Sequence, residues 1–393
     1  MIEGQNIICF CNDWDGDPLS KKQIALRLAK RNRILWVNSM GGRNPTLSSH
    51  DIGRAWKKLR QFAQGCRQVA DSIFLFSPLV IPFHASPLAR WLNRRLLFWS
   101  LWRVCRKLGF HNPITLTFVP NSVDVAGTLG EKLVIYYCVD EYSEFTGTNK
   151  QSMRDMERRL IEKSDFVVVS ADRLLQTKRP HNPNTFLIPH GVDVDHFRKA
   201  CSPDTTVPAD VPRNTAAVIG FYGLMEDWVD YSVIRYLAIA RPEWSFVVVG
   251  EVRTDLSSIE HLPNVYILGR RPYTALPGYC KSFDVAILPF VVNELTQAAN
   301  PLKLREYLAA GLPVVATPLP EVRKLEGKIR LASTPQEYLT QIEALLAAGD
   351  RGPRLHVSQG MDHESWEERV ERLSALVERF SRKRKLLAEA TAA

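Results

Sequence analysis

Short apolar runs closed by turn residues recur along the chain: residues 6–11 (NIICFC), 34–38, 114–118, 133–138, 166–170 and 185–188, then 216–222, 246–249, 265–268 and 285–288. Runs of this length without polar alternation are the pattern of strands buried on both faces, which occur in parallel sheets covered by helices. Helical stretches separate them. SKKQIALRLAK, with Ser20 as its expected cap, puts Ile24 and Leu28 on one face, and residues 336–346 and 364–380 repeat amphipathic spacing. Strand and helix in alternation predict an α/β fold of two doubly wound, Rossmann-like sheets. The polar, proline-bearing residues 201–214 (CSPDTTVPADVPRN) interrupt the alternation and read as a linker. The expected domains are therefore 1–200 and 215–360, followed by a terminal helix over 361–393 with a basic run at 381–385.

Candidate chemistry collects where strands end. Residues 300–317 (NPLKLREYLAAGLPVVAT) read as cap, helix, turn and strand: Asn300 suits the N-cap, Pro301 the first helical position, and Gly311 with Pro313 the stop. Lys303 and Glu306, three apart, share one side of that helix, while Leu304 and Leu308 share another that can face a core. A helix N-terminus with a lysine in its first turn favours an anion such as phosphate; the plainer alternative is a solvated ion pair worth a few tenths of a kcal/mol. The loop after the first strand, with Asp13, Gly16 and Asp17, lies at the carboxyl edge of its sheet and is a candidate site or else a solvated acidic turn. It lacks GxGxxG, so no dinucleotide cofactor is indicated. Asp140 and Glu141 close the run 133–138, the position at which α/β enzymes place catalytic groups, with a helix cap as the alternative. Gly223 follows the run 216–222. His190, Asp193, Asp195 and His196 read as a turn rather than as metal ligands.

Charge changes the picture in one half only. Residues 1–200 carry 29 Lys and Arg against 18 Asp and Glu, the remainder 22 against 24, so the net +9 of the 393 residues is N-terminal in origin. Residues 90–107 hold six basic residues, three Trp and no acid, and residues 56–62 are also basic and amphipathic. A span needs roughly 20 mainly apolar residues; a helix this charged suits the surface of an anionic membrane, with Arg94, Arg95, Trp99 and Trp102 as contacts, or else a domain helix with its arginines in solvent. No nucleic-acid motif accompanies the charge. The seven Cys show no metal-ligand spacing and suit a reducing cytoplasm, and the first residues lack a signal-peptide pattern. The expected location is cytoplasmic, with the basic helix as a means of peripheral attachment to the inner face of the cell membrane.

The segment Pro301-x-Lys-x-x-Glu-Tyr-x-Ala-x-Gly-x-Pro-Val-Val-Ala-Thr317 resembles the donor signature of GT-B-fold glycosyltransferases, particularly the retaining family 4 enzymes of bacterial cell-surface and exopolysaccharide synthesis. NDWDGDP…LAKRNRILWVNS and PHGVDVDHF resemble the same family's N-terminal segments. The resemblance implies two Rossmann-like domains facing across a cleft and a terminal helix crossing back to the first. It implies a hexosyl transfer from a nucleotide sugar to an acceptor hydroxyl with retention, without metal or cofactor; an acceptor anchored in the membrane, such as a lipid-linked glycan, would account for the basic Trp-rich stretch. Carried over, Glu306 holds the ribose, Lys303 a phosphate or the donor sugar with backbone amides near Gly223 also meeting the phosphate, Arg270 lies near the base, Asp140, with Glu141 in reserve, meets sugar or acceptor, and the loop with Asp13, Gly16 and Asp17 faces the acceptor or donor sugar. Two departures stand out: residues 224–228 (LMEDW) replace the family's basic pair after the glycine, and Ala298 replaces its second Glu, leaving Asn293, Asn300 or backbone amides for that contact. A nucleotide-sugar epimerase of the same fold and a catalytically silent scaffold are the alternatives.

Overall fold

The structure, a computed structural model, describes residues 1–39, 60–81, 87–213 and 215–392. Positions 56–59 of the first basic stretch lie outside the described residues. The chain forms two compact units, Met1–Pro189 with Arg369–Ala393, and His190–Glu368.

The first unit is built on β1 (Asn6–Phe10), β2 (Arg33–Val37), β3 (Arg67–Ala70), β4 (Ile73–Phe76), β5 (Ile114–Thr117), β6 (Leu133–Cys138), β7 (Phe166–Val169) and β8 (Thr185–Leu187), in the order β3-β4-β2-β1-β5-β6-β7-β8. Every pairing is parallel except β3 with β4. The apolar runs are the central strands, and β5, β6 and β7 are buried throughout. β3, which the apolar pattern misses, is the largely exposed edge strand RQVA. Helix Pro87–Leu108 lays Asn93, Leu97, Leu101 and Cys105, one residue per turn, onto the sheet, where the last three join Ile8, Phe10, Leu35 and Phe76 in one core. Each such leucine contributes about 1.5–3 kcal/mol of burial. Helix Trp366–Ala392 enters this unit from Arg369 onward. Val370, Leu373, Val377 and Phe380 form its buried stripe, Phe380 lies 4.8 Å from Phe166 ring to ring, and Arg372 donates to the Leu187 carbonyl at 3.0 Å.

The second unit holds β9 (Ala217–Tyr222), β10 (Trp244–Val249), β11 (Val265–Gly269), β12 (Val285–Leu288), β13 (Val314–Ala316) and β14 (Arg330–Leu331), in the order β11-β10-β9-β12-β13-β14, all parallel. The boundary between units falls at Pro189, earlier than the expected 200, and residues 201–213 belong to the second unit. They are anchored coil: Lys281 donates to the carbonyls of Ser202 and Pro203 at 2.7 and 2.9 Å, and Arg271 and Tyr279 bind Asp210 at 2.8 and 3.0 Å. Prolines remove the periodicity that would have marked the segment as packed, while side chains from elsewhere in the sequence take its carbonyls. Ser20 likewise is the first helical residue of Ser20–Leu28, with Leu19 at the cap position.

In each sheet the chain winds to one side and then to the other, reversing at β1 and at β9. Ligands of open α/β sheets bind outside the carboxyl ends of strands at such reversals. The loop 12–18 follows β1 and Gly223 follows β9, so the winding alone selects these two edges. At the second edge Gly223 and Gly250 touch: Gly250 has φ +155°, and a Cβ there would lie 1.7 Å from the Gly223 carbonyl oxygen. Gly250→Ala is expected to destabilise the protein by about 2–4 kcal/mol through this backbone collision; urea denaturation with an unshifted midpoint would contradict that packing.

Candidate active site

At the β9 edge the helix Leu302–Ala309 is locked to the strand by two tyrosines. The Tyr222 amide donates to the Tyr307 hydroxyl at 2.8 Å, and the Tyr307 hydroxyl donates to the Tyr222 carbonyl at 3.2 Å. The Tyr222 hydroxyl in turn donates to Glu306 Oε2 at 2.9 Å, and Lys303 Nζ reaches the same oxygen at 3.1 Å. Lys303 also lies 5.2 Å from the Tyr222 ring centroid, and its Cε would stand 3.5 Å from a Cβ at Gly223. Burial, and then the Glu306 carboxylate, push the Tyr222 hydroxyl well above its ordinary pKa, so it remains a donor. The structure thus brings Gly223, Lys303 and Glu306 together, with the Glu306 side chain 5 % exposed and that of Lys303 21 %. Leu304 and Leu308 face the core as their spacing predicts.

Asn300 corrects the expected cap. Pro301 occupies the cap position without a side-chain hydrogen bond, and the buried Asn300 carboxamide accepts from Arg305 Nη1 instead. Asn300 stands one residue before the cap position, and the guanidinium five residues on gives its oxygen a charge-assisted bond. Asn293 caps the helix Glu294–Ala298 in a reciprocal box with Thr296. Arg270 is exposed just after β11, two strands from β9. Its neighbour Arg271 is the arginine tied to Asp210. Asp193 caps the helix Val194–Arg198, and His196 stacks on Tyr273 at 4.2 Å while its Nε2 meets the Tyr273 carbonyl oxygen at 3.0 Å. Among the described residues no three His, Cys, Asp or Glu side chains converge as a metal site.

At the β1 edge the acidic loop is a built turn. Asp13 accepts from the Ser39 amide at 3.2 Å, the Trp14 amide donates to Asn38 at 2.9 Å, Trp14 packs edge-on against Trp36, and the Gly16 amide donates to the Asp13 carbonyl at 3.3 Å. Asp17 is exposed. Past β6 the two acids have different surroundings. Glu141 accepts from Lys178 at 2.6 Å and from Ser143 at 3.2 Å, and Lys178 also reaches Glu157 at 2.8 Å, itself the acceptor of the Tyr136 hydroxyl at 2.6 Å. Among the described residues no hydrogen bond takes up the Asp140 carboxylate. Burial pushes its pKa above the ordinary carboxylate range, Lys21 opposes the rise and Glu141 adds to it. Neither acid makes a side-chain cap for the turn Tyr142–Glu144. Sequence reasoning missed Tyr222, Lys178 and Lys21: Tyr222 reads as the end of an apolar run, and both lysines sit on helices where a surface role is the ordinary expectation.

Two doubly wound parallel sheets, with candidate groups at the carboxyl edge of each, make this a GT-B fold. Residues 216–348 match the family model described as "Glycosyl transferases group 1". A Bacillus subtilis (strain 168) protein, "Putative teichuronic acid biosynthesis glycosyltransferase TuaH", is 30 % identical over 213 residues, 49 % of this chain and 52 % of that protein. The chain thus spans about half the length of that curated relative. Among solved structures, sucrose-phosphate synthase from Thermosynechococcus elongatus aligns with TM-score 0.66 and 15 % identity over 98 % of this chain and 100 % of its own. Anabaena Alr3699/HepE in complex with UDP-glucose aligns with TM-score 0.66 and 13 % identity over 95 % and 99 %. At such identities these two likenesses speak for the fold.

The tyrosine lock generates a test. Tyr222→Phe removes one of the two donors to a buried carboxylate oxygen and is expected to cost about 1–3 kcal/mol; equilibrium denaturation indistinguishable from wild type would contradict the pairing.

Proposed function

We propose that the chain is a glycosyltransferase that moves a sugar from a nucleotide-sugar donor to an acceptor hydroxyl, with retention, in the synthesis of a cell-surface or extracellular polysaccharide. The observation that carries this reading is the buried Tyr222–Glu306–Lys303 group beside Gly223, within the stretch that matches the glycosyl transferase family model. HepE, whose structure contains UDP-glucose, and TuaH, whose name refers to teichuronic acid, support the donor class and the polysaccharide role. Glu306 binds the ribose hydroxyls, as an ionised acceptor suits. Lys303 and the Gly223 backbone meet the diphosphate, with Asn300 lining the approach and Arg270 near the base. The acceptor oxygen forms its bond to the anomeric carbon on the face from which the diphosphate departs. The bond to the diphosphate breaks with its electron pair going to the leaving group, which takes the acceptor proton. Asp140 orients the acceptor hydroxyl, with Glu141 in reserve and the Asp13–Asp17 loop alongside. Fixed positive charge and amides at the leaving group supply the main stabilisation, since they need no reorganisation as charge develops. The reaction so written uses no metal and no cofactor.

A saturating donor stabilises the folded protein, by about 2.7 kcal/mol at a hundredfold excess over its Kd, so a thermal-shift screen of UDP-, GDP- and other nucleotide sugars identifies the base. For the donor so found, Glu306→Gln is expected to weaken binding by about 1–3 kcal/mol in calorimetry. Undiminished affinity would remove the ribose assignment.

The acceptor we infer is a lipid-linked glycan, met by an enzyme docked peripherally on the cytoplasmic face of an anionic membrane. Helix Pro87–Leu108 favours this. Opposite its buried seam it exposes Leu92, Leu96, Trp91 and Trp99, the last two each 53 % exposed, interleaved with exposed Arg94, Arg95, Arg103, Arg106 and Lys107. Arg95 lies 5.0 Å from the Trp91 ring centroid, Arg106 4.7 Å from that of Trp102, and Trp99 packs edge-on against Trp102. Apolar rings framed by cations fit the interfacial zone of anionic lipid. Among the described residues no helix is long and apolar enough to cross a membrane. Vesicles containing phosphatidylserine are expected to pellet the protein at low salt, and Arg94→Glu with Arg95→Glu to reduce the pelleted fraction severalfold; equal pelleting of the two proteins would count against docking through this face.

A further inference from the structure

Helix Ser20–Leu28 opens with two lysines whose side chains diverge. Lys22 folds back on its own loop, donating to the carbonyls of Trp14 at 2.8 Å and Gly16 at 3.3 Å with its ammonium 4.5 Å from a Trp14 ring centroid. It staples the turn after β1. Lys21 donates to Asn12 Oδ1 at 3.2 Å and lies 5.4 Å from the ring centroid of Tyr142, two residues beyond Asp140. β5 stands between β1 and β6 in the sheet, so Lys21 reaches over the carboxyl end of β5 from the first loop to the turn that carries Asp140. Both Lys21 and Asp140 are half-buried.

We propose that Lys21 is a positioning residue, the counter-ion of Asp140 across the end of β5, tethered by Asn12 and faced by the Tyr142 ring. The charges around the pair leave this role to Lys21. Glu141, the anion beside Asp140, already holds Lys178, which it shares with Glu157. The thiols of Cys11 and Cys138 face Lys21 but are pushed well above their ordinary pKa by burial and remain neutral. Tyr142, likewise raised by burial, is a neutral ring over which a cation rests. Burial disfavours the charged form of lysine and of aspartate alike, and each is the foremost charge favouring ionisation of the other. An ionised Asp140 is an acceptor only, the form that can take the hydrogen bond of a sugar hydroxyl. That consequence rests on the acceptor role proposed above; the pairing does not.

The test reads the pair directly. In protein labelled with 13C at the aspartate carboxyls, the Asp140 signal, identified by its loss in Asp140→Asn, is followed through a pH titration. Asp140 is expected to titrate above the ordinary aspartate range. Lys21→Met should raise its midpoint further by about one pH unit, tenfold in proton affinity, and Lys21→Arg should restore it. The sign follows from charge: without the ammonium the neutral acid is favoured, so Asp140 stays protonated to higher pH. If Lys21→Met does not fold, the pair is read from the other side, because Asp140→Asn should lower the midpoint of the Lys21 ammonium in 15N spectra. An Asp140 midpoint unmoved in folded Lys21→Met, or a Lys21 midpoint unmoved in Asp140→Asn, overturns the proposal. The acid limb of kcat/KM should shift upward in parallel with the carboxyl. A carboxyl that shifts while the limb stays fixed would retain the pair and dismiss Asp140 as the acceptor-binding group.

Discussion

A carboxylate almost removed from water, Glu306, must be paired where it sits, and the second unit is arranged around that requirement. Desolvating an ionised carboxylate costs several kcal/mol unless cations and donors replace the water. Here a lysine one helical turn away and a tyrosine at the end of β9 converge on a single oxygen. The tyrosine can do so because Tyr307 fixes the backbone of Tyr222 from the same helix that carries Glu306. Gly223 then brings the chain close to Lys303, and Gly250 allows the Gly223 carbonyl to pass. Positive charge, backbone and carboxylate meet at the carboxyl edge where the sheet reverses its winding.

The first unit solves a related problem with four ionisable groups. Lys178 lies between Glu141 and Glu157 and satisfies both, holding the end of β6 to the helix Lys150–Lys163. Engaging Glu141 in this way separates two adjacent acids into a structural one and a second, Asp140, which burial pushes above the ordinary carboxylate range against the opposing pull of Lys21. At the β9 edge Lys303 is the cation that stands beside the Gly223 backbone. The Trp-rich helix is independent of both edges, its inner seam being ordinary core and its outer face a mixture of cations and rings.

Much of this was legible in the sequence because it is local. Uninterrupted apolar runs identified the central strands, and the spacing of Leu304 and Leu308 found the core-facing side of one helix, but Glu306, which spacing put on a polar side with Lys303, is buried as well. What escaped depends on partners distant in sequence. The edge strand β3 is exposed and polar, so no apolar run marks it. Asn300 has the chemistry of a cap, yet Arg305 takes its oxygen. Residues 201–213 look like a linker because prolines break any period, while Lys281 and Arg271 pin them down. Lys178 and Lys21 reveal their roles only after β6 and the flanking helices have been assembled.

The central claim is that the β9 edge holds a nucleotide sugar, and amide hydrogen exchange with and without the nucleotide sugar that most stabilises the protein tests it most directly. Added protection is expected in residues 222–225 and at the start of the helix Leu302–Ala309. A ligand that raises the melting temperature while leaving exchange at both segments unchanged, or a full set of nucleotide sugars that stabilises nothing, would contradict the account.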